Sequence, residues 1–247
     1  MAAIRRHVEE VLALMGGSPA RFVRRFDRRR DGRAFLALRY RFHTGADLAF
    51  LLEALGDVYR SHRSLEEVFL EGGEETRDRL GALVGRIRLS LRGGGADLRS
   101  SYGLRFLLAS PEKGGACKRW NLFLRWMVRP DDGIDCGVWR SVDPAELIAP
   151  LDAHLHRIGR RLGLVSSRAA NWAAAESLTA SLRAVDPHDP LRFDFPLCRL
   201  GILDRCPGSG FVARCGRCEL FSLCDRVLGS GPLKSGKKMF DTMYEKS

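Results

Sequence analysis

The chain has 247 residues, enough for one large domain or two small ones and for a buried core. A hydrophobic content of 45% excludes a largely disordered protein, and no run of about eighteen apolar residues marks a membrane span. Lysine and arginine number 41 against 30 aspartates and glutamates, a formal net charge of +11 that favours a polyanionic partner, nucleic acid first among them.

The first residues, with Arg5, Arg6, Glu9 and Glu10, lack the apolar stretch of a signal peptide, so a cytoplasmic, nucleoid-associated location is expected. Ser18-Pro19 places a capping side chain before a proline at the first helical position, and Gly16-Gly17 stops the helix before it. Leu48, Leu51, Leu52, Leu55, Val58 and Tyr59 form one helical stripe; Leu80, Leu83, Val84, Ile87 and Leu91 form a second. Ser64 followed by Glu67 reads as a capping box, and Gly72-Gly73 and Gly93-Gly94-Gly95 read as stops. Period-two alternation is confined to a weak stretch from Phe35 to Phe42, too little for a sheet. The expected fold is therefore all-α, with about ten helices. Residues 1–228 are read as one helical domain and 229–247, rich in Gly, Ser and Lys, as a loose basic tail.

Ser110-Pro111 ends a helix that starts near Tyr102, because the residue before proline disfavours helical torsions. The turn Gly114-Gly115 then opens a second helix near Ala116, with Leu122, Phe123, Trp126 and Met127 expected on its buried face. Lys113, Gly114, Gly115 and Arg119 are thereby candidates for a phosphate contact, backbone N–H groups and a helix N-terminus facing the anion. Lys118 sits in the first turn, where the helix field and burial act to deprotonate an amine and so free a nucleophile. The plainer reading of Lys118 is a phosphate or solvent contact.

Asp152 follows Pro150 and precedes a helix with Leu155, Ile158 and Leu162 on its apolar face, which makes it an N-cap. A capping carboxylate at a cleft also stabilises positive charge developing on a substrate. Metal ligation by Asp152 with His154 and His156 is disfavoured by their spacing.

Without a secretion signal, seven cysteines argue against a disulfide framework. Cys117, Cys136 and Cys198 are scattered and read as small core residues. Cys206, Cys215, Cys218 and Cys224 are separated by eight, two and five residues, a set of four thiols that suits a zinc site or an iron–sulfur cubane. Only Cys215 and Cys218 are closely paired, whereas zinc ribbons supply two close pairs.

Asp152, His154, Arg157, Arg161 and Leu162 reproduce the Asp-x-His-x-x-Arg-x-x-x-Arg-Leu run of the helix–hairpin–helix DNA glycosylases, the endonuclease III superfamily, and the chain resembles that superfamily. The resemblance implies two helical subdomains, Asp152 as the catalytic carboxylate, Lys118 as the lysine of the bifunctional members, and a [4Fe–4S] cluster on the four cysteines of a 206–224 loop. It also implies a duplex DNA partner, bound by a monomer, with His154, Arg157, Arg214 and Arg217 beside the phosphate backbone. The long interval between Lys118 and Asp152 looks more like that of the archaeal 8-oxoguanine glycosylases, which makes an oxidised base the expected substrate. The sequence departs from the superfamily in its hairpin, Gly114-Gly115 in place of Gly-x-Gly, and in the first cysteine gap.

Residues from Gly115 to Cys206 also resemble an uncharacterised bacterial family known only as a domain of unknown function. The shared marks are Cys117-Lys118-Arg119-x-Asn121-x-Phe123-Leu124-Arg125-Trp126-Met127-Val128-Arg129, then Asp131-Asp132-Gly133, then Pro150-Leu151-Asp152-x-His154. Against that family the chain is expected to start late, short of an N-terminal helical segment. Two functions remain in play: a base-excision glycosylase with lyase activity, and a non-catalytic nucleic-acid-binding module whose iron–sulfur or zinc centre is structural.

Overall fold

The structure, a computed structural model, describes residues 2–202, 206, 213–218, 220, 221 and 224. The expected tail, 229–247, lies outside the described residues, as does the side chain of Arg214. Helices dominate, and among the described residues the only sheet is a pair of two-residue strands. The chain divides into two compact units, Met1–Glu112 and Lys113–Ser247, so the stretch read as one domain contains both. Every residue singled out for chemistry falls in the second.

In the first unit α1 (Ala2–Met15) ends at Gly16, whose φ of +69° suits glycine. It is followed by α2 (Pro19–Arg25) and the short α3 (Arg28–Asp31), which Asp27 caps through the Arg29 and Arg30 N–H groups. Strands β1 (Arg39–Tyr40) and β2 (His43–Thr44) pair antiparallel within and just after the weakly alternating stretch. Arg41, at φ +54°, makes their turn, and Phe42 stands edge-on to Tyr102 and Phe106, which anchors it.

Next come α4 (Gly45–Ser61), α5 (Leu65–Leu70), α6 (Thr76–Gly93) and α7 (Tyr102–Leu107). Thr44 and Asp47 form a full capping box on α4. At Gly45 a Cβ would sit 1.7 Å from the Phe35 carbonyl oxygen, so only glycine fits that start. The predicted stripe of α6 is buried throughout. On α4 Leu52 and Val58 of the predicted stripe are buried and Leu48, Leu51, Leu55 and Tyr59 only partly so; Ala49 and Ala54 join the buried set, because small residues let neighbouring backbone approach. Ser64 accepts the Glu67 N–H, while the Glu67 carboxylate takes the N–H of Arg63 rather than that of Ser64.

The second unit holds α8 (Lys118–Val128), α9 (Ala153–Arg161), α10 (Trp172–Arg183) and α11 (Asp194–Ile202). Leu155, Ile158 and Leu162 are buried as predicted, as are Trp172, Leu178 and Leu182 of α10. Helices α9 and α11 lie so close that a Cβ on Gly201 would come within 3.0 Å of the His154 Cβ.

Helix α8 departs from expectation in two ways. It begins at Lys118, two residues after the predicted start, and its buried face is Asn121, Leu124, Arg125 and Val128, with Trp126 40% exposed. Buried carboxylates rotate it. Arg125 lies 3.3 Å from both Asp135 and Asp194, and Arg129 forms a two-pronged pair with Asp189 at 2.8 and 2.9 Å while also bonding Asp135. Asp189, at the position before Pro190 where a carboxylate would cap the turn, is consumed by Arg129 and makes no cap bond.

Candidate active site

The approach to Lys118 is a tight turn. A single 3-10 turn, Pro111–Lys113, leads to Gly114 at φ +74°, whose carbonyl accepts the Trp172 N–H at 2.9 Å. Gly115 pairs with Asn171, tying the turn to the start of α10. Cys117 is then held at φ +45°, a left-handed conformation that is strained for a residue with a Cβ, and is buried. The Asn121 amide donates to the Ala116 carbonyl at 3.1 Å and fixes this entry. The outcome is that Lys118 becomes the first residue of α8, its amine half exposed.

Asp152 is reached by a different route. The run from Leu147 to Leu151 is buried, and the Ala149 N–H donates to Thr179 Oγ1 at 2.9 Å, which anchors the strip to α10. Asp152 caps α9: its Oδ1 accepts the Leu155 N–H at 2.7 Å. That bond leaves Oδ2 free to face the amine of Lys118, which donates to it at 3.1 Å across 34 positions of sequence.

The two groups differ in access. The lysine side chain is 47% exposed and the aspartate 15%, so the amine is the outer member and the carboxylate the recessed one. Burial pushes the Asp152 carboxyl up, but the Leu155 N–H and the Lys118 ammonium, with a smaller effect of His154, bring it below its usual range. The pair is an ionised lysine–carboxylate contact at the N-termini of two helices.

A third group was missed by the sequence reading. Cys198, on α11, is not a core residue: it is half-buried, and its sulfur lies 3.8 Å from Asp152 Oδ2. Burial, then the Asp152 charge, push its thiol up to about 11. Of the three cysteines read as core, Cys117 alone is buried, and Cys136 is exposed. Apolar neighbours at Leu197 and Leu200 masked Cys198, because helical periodicity cannot separate a residue at the edge of the apolar face from one inside it.

The other candidates fall into two groups. Lys113, Arg119 and Arg217 are exposed. His154 and Arg157 are partly buried: Arg157 Nη2 is 3.2 Å from His154 Nδ1 and donates to the Cys206 carbonyl at 3.3 Å. His156 is buried against the Ser167 carbonyl at 3.0 Å, away from any ligand role with Asp152. Among the aromatics, Phe123 stands edge-on to Trp120 and Trp139, 5.9 and 5.6 Å between ring centres, which leaves Trp126 as the exposed indole.

Two of the four C-terminal cysteines, Cys206 and Cys224, lie beside α9. Arg161 Nη1 lies 3.8 Å from Cys224 Sγ, one turn beyond Arg157 and its bond to Cys206. Burial pushes the Cys218 thiol up, and Cys206, Cys215 and Cys224 each add to that rise. Among the described residues, no three His, Cys, Asp or Glu side chains form the donor set of a single metal ion. Such a set needs thiolates about 4 Å apart, given Zn–S bonds of about 2.3 Å.

No helix among the described residues is long and apolar enough to cross a membrane. Residues 1–203 match a family described as "Protein of unknown function (DUF2400)". No curated protein and no solved structure matches the chain.

Proposed function

We propose, for a chain that belongs to this family of unknown function, the activity of a DNA base-excision glycosylase with an associated strand-cleaving lyase step, acting on an oxidised base such as 8-oxoguanine. The observation that carries this reading is the 3.1 Å contact between Lys118 and Asp152, two groups with no local reason to meet. The nucleotide is rotated out of the duplex to bring its C1′ to the amine. Lys118 first gives its ammonium proton to solvent, which its half-exposed side chain reaches, and the neutral amine attacks C1′; the glycosidic C1′–N bond breaks with its electron pair leaving on the base, which takes up the proton shed by the amine on bonding. Opening of the sugar ring yields a Schiff base, and loss of a C2′ proton expels the 3′ phosphate.

A carboxylate held below its usual range is a poor proton store, so Asp152 acts chiefly through its charge. It stabilises the cationic sugar from a recessed position, with the Leu155 N–H fixing its orientation. The test is to mix the protein with duplexes carrying oxidised bases or abasic sites in the presence of borohydride, which reduces the Schiff base to a stable amine. A covalent protein–DNA adduct is expected. Its absence on every such duplex overturns the enzyme reading and leaves the nucleic-acid-binding module in its place.

The same reading assigns Cys206, Cys215, Cys218 and Cys224 to a [4Fe–4S] cluster, with zinc as the alternative occupant. When bound, the cluster supplies a rigid anchor for the loop that carries Arg214 and Arg217, and a one-electron couple. Protein purified without oxygen is expected to be brown, with a broad absorption near 400 nm from thiolate-to-iron charge transfer and about four irons per chain. A colourless protein holding one zinc per chain after anaerobic reconstitution overturns the cluster in favour of zinc.

A further inference from the structure

We propose that Cys198 is the positioning residue of this site, its thiol holding Asp152 Oδ2 in place once the lysine amine turns to the substrate. The proposal rests on the enzyme reading given above. Oδ2 has two neighbours, the Lys118 amine at 3.1 Å and the Cys198 sulfur at 3.8 Å, while Oδ1 is taken by the Leu155 N–H. In the resting site the ammonium satisfies Oδ2. Once the ammonium has lost a proton to solvent, bond formation to C1′ consumes the lone pair of the amine and draws Lys118 toward the sugar. Asp152 is then left, at 15% side-chain exposure, with one oxygen losing its cationic partner. An unmatched buried oxygen is costly, and a carboxylate free to swing loses its aim at the sugar.

A neutral S–H beside Oδ2 supplies a donor for that interval. The sulfur has to stay protonated, since a thiolate would repel the carboxylate. The groups that act on it meet this need: burial and the charges of Asp152 and Asp194 favour the thiol, against Lys118, which favours the thiolate. The backbone keeps the contact short-ranged. Cys198 lies on α11, three residues before Gly201, where α11 and α9 approach so closely that a methyl group would crowd His154. Asp152 caps the same α9.

Two measurements on the full-length chain test the role. The first follows alkylation of Cys198 by iodoacetamide, read by peptide mass spectrometry, with exposed Cys136 as internal standard. Asp152→Asn removes the charge that disfavours the thiolate and is expected to speed labelling of Cys198 about threefold, the gain in thiolate being partly offset by its lower nucleophilicity. Cys136 is expected to be unaffected. Equal Cys198 rates in the two proteins overturn the contact.

The second measures single-turnover adduct formation. Cys198→Ala is expected to slow it about tenfold without weakening DNA binding, the size of one donor to a charged acceptor. Cys198→Ser, which keeps a donor, is expected to stay within about twofold of wild type. Wild-type rates in Cys198→Ala, or equal losses in the Ala and Ser variants, overturn the positioning role. If no protein forms an adduct, the enzyme reading fails and the positioning role fails with it; the labelling experiment still reports whether thiol and carboxylate interact.

Discussion

Replacing Lys118 by Ala is expected to abolish the borohydride-trapped adduct, and replacing Asp152 by Asn to slow its formation by about two to four orders of magnitude. The two variants separate chemistry from architecture because both residues have structural duties as well. Lys118 is half exposed, so its pair with Asp152 contributes at most about 1 kcal/mol to folding. A cation in the first turn of α8 also opposes the helix dipole, so Lys118→Ala should change stability by less than about 1 kcal/mol. Asp152→Asn retains a side-chain acceptor for the Leu155 N–H, and asparagine caps helices as well as aspartate does. Asp152→Ala adds the loss of the cap, about 1 kcal/mol, with its deficit visible in urea unfolding. An undiminished adduct in Lys118→Ala overturns the lysine assignment. Full activity in Asp152→Asn reduces Asp152 to a cap.

Replacing Arg125 by Met is expected to destabilise the second unit by about 3–5 kcal/mol, the largest effect of any single substitution considered. Arg125 is 5% exposed and stands between two carboxylates, Asp135 and Asp194, that are equally deep. Without it Asp135 keeps Arg129, but Asp194 is left a buried charge with no adjacent cation. The wild-type pair is itself imperfect. Arg125 Nε and Asp194 Oδ1 are 3.3 Å apart, yet neither atom makes an aligned hydrogen bond. Burial therefore prevails over the arginine charge, and the Asp194 carboxyl is pushed up to about 6.

The pH dependence follows from that value. Unfolded, Asp194 titrates near about 3.9; folded, it titrates higher, so between these values the native state binds the extra proton. Its contribution to stability is complete below about pH 4 and falls away as pH rises through 6, by on the order of 3 kcal/mol. Asp152 and Asp47, held below their usual range, work in the opposite sense: their contributions are present above about pH 4 and are lost as pH falls through their lower folded values. The informative quantity is the difference between wild type and Asp194→Asn in urea unfolding from pH 4.5 to 7.5. The Asn variant is expected to gain on wild type as pH rises. A difference that does not vary over that range overturns the assignment to Asp194.

The sequence by itself determined what depends on neighbours within a turn or two. The glycine stops after α1, α5 and α6, the Asp152 cap of α9 and the stripe of α6 were all legible, because capping and helical periodicity act over three or four residues. Lys118 and Asp152 could be named from their motif positions, but not joined. Only the tertiary structure decided that they touch across 34 positions, that Cys198 leaves the core to reach the same carboxylate, and that α8 turns arginines inward. Composition and periodicity treat arginine as a surface residue. That rule fails where the arginine meets carboxylates brought from elsewhere in the chain, the buried Asp194 beside Arg125 and the partly buried Asp189, 60 positions from Arg129, which match its charge. Local patterns carry no record of such distant partners, and the candidate site is made of them.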